Sequence, residues 1–98
     1  MIQVIVNWDE LRLEMSGHAN AGPYGEDVLC AAASMAVQML ARACQVLDVK
    51  ARVKFKPGHG MVQIMEDSPR IKERFYHTVD GLMMLEEAHP EHIKITAK

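Results

Sequence analysis

Ile2, Val4 and Val6 alternate with Gln3, Ile5 and Asn7, a period of two that predicts a strand. Leu11, Leu13 and Met15 alternate with Arg12, Glu14 and Ser16 and predict a second, joined to the first through a turn at Asn7-Trp8-Asp9-Glu10. Gly17 to Glu26 holds three glycines and a proline and reads as a loop. Asp27 is the expected N-cap of a helix running from Val28 to about Leu47, rich in Ala, Leu and Met without Gly or Pro. Its polar residues Ser34, Gln38, Arg42 and Gln45 form one narrow stripe, so most of its surface needs cover, by a sheet and by something else such as a partner subunit.

Lys50, Arg52, Lys54 and Lys56 alternate with Ala51, Val53 and Phe55, predicting a strand with one basic and one apolar face. Pro57-Gly58-His59-Gly60 turns the chain, and Met61 to Met65 returns as the next strand. Ser68 is the expected N-cap of a second helix with Pro69 at its first position. Ile71, Phe75, Val79, Leu82 and Met83 mark its buried face, His89-Pro90 stops it, and Ile93 to Thr96 forms a last strand. The predicted order is β-β-α-β-β-α-β: an α+β fold, one small domain over residues 1–98, with two helices packed on a sheet.

Composition narrows the function. A net charge of −2 argues against a generic nucleic-acid binder and leaves only a local patch, the Lys50–Lys56 strand, for that role. Two cysteines exclude a disulfide-rich scaffold and a four-cysteine zinc site. No apolar run of membrane-spanning length and no secretory leader is read from the pattern, so no membrane and a cytoplasmic location are expected.

The cysteines divide by position. With Asp27 as cap, Cys30 falls in the first helical turn, where unpaired amides and the helix dipole favour a thiolate. Cys30 also extends the polar stripe through Ser34, whereas Cys44, flanked by Leu40 and Leu47, reads as a packing residue. Fourteen helical steps of about 1.5 Å put the two about 21 Å apart, too far for a disulfide. His18, at the end of the second strand between Gly17 and Ala19, can serve as the base for a thiol, and Asp27 can orient it. Each also has a simpler reading, a surface loop histidine and a helix cap. A zinc site from His18, Cys30 and His59 lacks a fourth ligand. His59 reads as a turn residue, and His77, His89 and His92 have no partner at ligand spacing.

Gly17-His18-Ala19, a spacer ending in Gly25-Glu26-Asp27, and Val28-Leu29-Cys30-Ala31-Ala32-Ala33-Ser34 resemble the ribosomal-processing cysteine protease family Prp. The matching pattern is G-H-A, a short glycine-bearing spacer, then G-x-D-x-x-C-A-A-x-S. The resemblance implies a cysteine endopeptidase that removes the N-terminal extension of a bacterial large-subunit ribosomal protein, L-twenty-seven. Carried over by position, Cys30 is the nucleophile, His18 the general base and Asp27 the matching acid, with Ser34 near the site. The loop bearing Gly22, Pro23, Tyr24 and Gly25 would shape the substrate groove. The family implies a homodimer, with no metal or other cofactor. Two other readings compete with this one: a non-catalytic RNA- or ribosome-associated module using Lys50–Lys56, and a structural dimer with an unreactive Cys30.

Overall fold

The elements follow the predicted order: β1 (Ile2–Asn7), β2 (Arg12–Gly17), α1 (Pro23–Val46), β3 (Ala51–Lys56), β4 (His59–Ile64), α2 (Pro69–Ala88) and β5 (Ile93–Ala97). They are seen in a computed structural model that describes residues 1–17, 23–66 and 68–98, and of residues 23–27 the backbone. The strands form one sheet in the order β3-β4-β2-β1-β5. All neighbours are antiparallel except β1 and β5.

Register decides which face is buried. Val6, Leu13, Val62 and Val53 lie side by side across β1, β2, β4 and β3, and Ile2 lies beside Ile93 of β5. Side chains opposite one another in a ladder share a face. This apolar face packs against Leu29, Ala33, Val37 and Leu40 of α1 and Ile71, Phe75, Val79 and Leu82 of α2 in one core. Both helices therefore cover the same side of the sheet, and its other face is open.

Several expectations shift. His59 belongs to β4 and not to the turn: Lys56 pairs with His59, so the connection is the two residues Pro57-Gly58. Proline at the first turn position and Gly58 at φ 75° at the second suit a tight reversal. Ser68 holds the cap position of α2 with extended backbone, but its side chain makes no capping hydrogen bond, while Pro69 opens the helix as expected. Met83, expected in the buried face, is 44% exposed. The buried stripe runs 71, 75, 79, 82, and residue 83 lies about 100° round the helix from its last member. Val53 and Phe55 share the core face yet stay partly exposed, because β3 is an edge strand.

The largest correction concerns the start of α1. The helix begins at Pro23, so Pro23, Tyr24 and Gly25 are its opening residues and not part of a loop, and Asp27 is its fifth residue and not its N-cap. Proline suits the first helical position because its missing N–H costs no hydrogen bond there. His18 and Gly22 lie outside the described residues. The Val28–Val46 stretch is also long and apolar enough, at a mean hydropathy of 1.3, to cross a membrane, contrary to expectation. Here it is the core helix: Leu29, Ala33, Val37, Leu40, Ala43 and Cys44 are all buried against the sheet and α2.

Candidate active site

Cys30 lines a cleft of about 450 Å³ between α1 and the β2–β3–β4 end of the sheet. Each wall follows from local structure. Met15 comes from the core face of β2, and Phe55 lies opposite the same β4 residue, Gly60, from β3. Gly60 makes room for the ring: a Cβ there would sit 2.8 Å from a Phe55 ring carbon. Pro57 and Gly58 of the hairpin close the cleft's far side, and Ser34 and Gln38 line it one and two turns beyond Cys30.

Gly17, the last residue of β2, borders the same cleft. Its φ of +90° suits only glycine, and an added Cβ would collide with the carbonyl oxygen of Met1. Its amide donates to the Gly58 carbonyl at 3.0 Å, tying the strand end to the hairpin. The backbone is thus fixed at the residue before His18.

The helix start changes the argument for Cys30. It is the eighth residue of α1, so its amide lies within the hydrogen-bonded ladder and beyond the first turn, where the dipole acts most strongly. What singles it out is access: Cys30 is half-buried at the cleft, whereas Cys44 is 3% exposed in the core. Burial pushes the Cys44 thiol up, as a packing residue requires. Gln38 Nε2 donates to Ser34 Oγ at 2.8 Å, so the stripe read from spacing is a bonded pair.

His59, from β4, also borders this cleft. It lies opposite Ser16 in the ladder, on the open face, where its Nε2–H donates to Glu14 Oε2 at 2.8 Å. No group of three or more possible metal ligands occurs among the described residues. The hydrogen bond from His59 holds the Glu14 carboxyl below its ordinary value of 4.5, against partial burial, with help from the charges of Arg12, His59 and Lys98. A carboxylate with a depressed folded pKa adds stability above its ordinary, unfolded value and loses it as pH falls through the folded value. The stability gap between wild type and Glu14→Gln is expected to be widest near neutral pH and to close below about pH 4. Thermal unfolding across that range checks this, and a gap that grows on acidification refutes it.

Phe55, Met15 and Pro57 had no signal as site residues, whereas Gln38 shared the polar stripe of Cys30 and Ser34. Their roles depend on strand pairing and on which helix face meets the hairpin.

A family model described as cysteine protease Prp matches residues 1–94. The chain belongs to that family. It is a cysteine protease, and its sheet and two helices are the Prp fold. The ribosomal processing protease Prp from S. aureus, in complex with a covalently linked product peptide, matches at a TM-score of 0.89 and 24% identity, covering 100% of both chains. The same protease in complex with a substrate peptide matches at 0.88 and 23%, again over 100% of both chains. SMU.848 from Streptococcus mutans matches at 0.81 and 27%, covering 99% of this chain and 93% of that one. No curated protein sequence matches the chain.

Proposed function

We propose that this Prp-family protease cleaves the N-terminal extension from a bacterial large-subunit ribosomal protein, L-twenty-seven, with Cys30 as nucleophile and His18 as general base. The observation that carries the reading is Cys30 at an apolar-walled cleft, on a chain that matches the Prp model over residues 1–94. The S. aureus relative is a ribosomal processing protease seen in complex with a substrate peptide and a product peptide, which supports a peptide ligand here.

In this reading the Cys30 Sγ, deprotonated by His18, attacks the scissile carbonyl and forms the acyl-enzyme. His18 returns the proton to the leaving amine, and water then hydrolyses the thioester. Asp27 supports His18, and Ser34, held by Gln38, borders the nucleophile. The groove-shaping role expected of Gly22, Pro23, Tyr24 and Gly25 falls, for Pro23 to Gly25, to the first turn of α1. The direct test incubates the protein with a peptide carrying the host's own ribosomal-protein extension and reads the products by mass spectrometry. A single cut releasing the extension supports the reading, and an intact peptide overturns it.

Phe55 forms the apolar wall that an extended peptide would cover. Phe55→Ala is expected to raise KM about tenfold with little change in kcat, the pattern of lost uniform binding. A fall in kcat at constant KM would contradict this role.

The reading includes a homodimer in the cytoplasm. Val28, Met35, Met39 and Val46 are 58–70% exposed along one side of α1. With Ala32 and Arg42 they follow a spacing of four and three, the seam of a helix that packs on another. Met39→Glu is therefore expected to shift the protein from dimer to monomer in sedimentation equilibrium, since a buried unpaired carboxylate costs several kcal/mol. A wild-type monomer at tens of micromolar would sink this element.

A further inference from the structure

The open face of the sheet carries a charge pattern unlike that of the whole chain. Ladder register places Gln3, Ile5 and Asn7 of β1, Arg12, Glu14 and Ser16 of β2, and His59, Met61 and Gln63 of β4 on this face. Arg52, Lys54 and Lys56 of β3 join them at one edge, and Lys94 and Thr96 of β5 at the other. Lys98 adds to the β5 edge, bordering a small hollow with Asn7, Arg12 and Glu14. Among the described residues, six of the chain's 11 Lys and Arg therefore share one face with one of its 13 Asp and Glu. That carboxylate is already engaged, by His59 at 2.8 Å and Arg12 at 3.6 Å. A chain of net charge −2 thus presents a positive plane, and its excess acid lies elsewhere.

We propose that this open face binds double-stranded RNA through its phosphate backbone. Charge fixes the polyanion. Three further features fix its kind. Among the described residues, the face has Ile5 and the 7%-exposed Met61 as its only apolar members and no aromatic, so it lacks the apolar anchors of a protein interface. The same lack of aromatics removes the stacking platforms that single-stranded binding needs. Neutral hydrogen-bonding groups, Gln3, Asn7, Gln63 and Thr96, stand between the cationic edges, and the plane spans four strand spacings, about 19 Å. A broad polar sheet face of this kind suits the wide, shallow minor groove of an A-form duplex, where phosphates and 2′-hydroxyls are displayed. Among the described residues, no helix or ribbon projects from it to enter the major groove of DNA. Binding is expected to be independent of sequence and strongly dependent on salt.

This inference does not rest on the peptidase reading, and the two fail separately. Fluorescence anisotropy with the full chain and a labelled 20-base-pair RNA duplex, titrated across salt, tests it. Binding that weakens linearly in log salt is the expected result. Arg52→Gln/Lys54→Gln/Lys94→Gln, three exposed changes outside the cleft, should weaken binding by about 10²-fold at 0.1 M salt and lower the slope by about 2–3. The thermal melt and far-UV circular dichroism of that variant should match wild type and so report an intact fold. Lys98→Gln alone should lower the slope by about one. No RNA binding at 50 mM salt, wild-type binding by the triple variant, equal or tighter binding of polyglutamate, or tighter binding of a DNA duplex of the same length each overturns the proposal.

Discussion

A Cys30→Ala variant is expected to lose peptide cleavage by about 10⁴-fold or more while folding normally. The size follows from the chemistry: without the thiolate there is no acyl-enzyme, and removing the nucleophile of such a unit costs nearly as much as removing the whole unit. The small structural effect follows from position, since Cys30 is half-buried at the rim of a cleft and alanine fits the helix. Cys44 supplies the contrast on the same helix. It is packed in the core at 3% exposure, so Cys44→Ala should keep cleavage and lose about 1 kcal/mol of stability. Single-turnover assays and thermal melts of both variants separate the roles. Robust cleavage by Cys30→Ala would remove Cys30 as nucleophile and, with it, the central role of the cleft.

The second large effect is expected at Gly17. Replacement by alanine forces an L-residue to φ +90° and drives a Cβ into the Met1 carbonyl oxygen. Left-handed backbone costs about 1–2 kcal/mol and a crowded contact about 1–3 more. A loss of about 2–5 kcal/mol lowers the melting temperature of a domain this size by about 10–25 °C. Gly17 also precedes His18 and borders the cleft, so a strand end displaced by an ångström should cost about 10²-fold in kcat/KM at temperatures where the variant stays folded. Gly81 in α2 provides the opposite sign: no atom lies within 4 Å of a Cβ added there, and Gly81→Ala should stabilise by about 0.5–1 kcal/mol. Equal melting temperatures for Gly17→Ala and wild type would contradict the steric argument.

Much of the scaffold was legible because its signals are local. The alternation of Ile2, Val4 and Val6 with Gln3, Ile5 and Asn7 survives as buried and less buried positions of β1. Pro69 and His89-Pro90 bound α2 where such residues begin and end helices. The errors fell where a local signal had two outlets. Asp27 and Pro23 both open helices, and the chain uses Pro23. His59 sits beside a Pro-Gly pair that completes the turn without it. Met83 has the right residue type for a core and lies one position past the buried stripe.

The candidate site was half legible. The Gly17-His18-Ala19 and Asp27-to-Ser34 segments carry the family pattern, and the match over residues 1–94 agrees with it. Sequence alone therefore determined the family, the order of the elements and the division of Cys30 from Cys44. Periodicity, turn chemistry and a fixed-spacing motif are properties of neighbouring residues, and these suffice for that. Only the tertiary structure decided that Phe55 and Met15 wall the Cys30 cleft, since they meet there through β4, to which both strands pair. It also decided that the basic strand does not act alone. Arg12, Lys94 and Lys98 come from segments up to about 85 residues apart, and only the pairing of β5 with β1, β1 with β2, β2 with β4 and β4 with β3 brings them onto one face with Arg52, Lys54 and Lys56. Net charge is a sum over the chain and carries no record of that segregation.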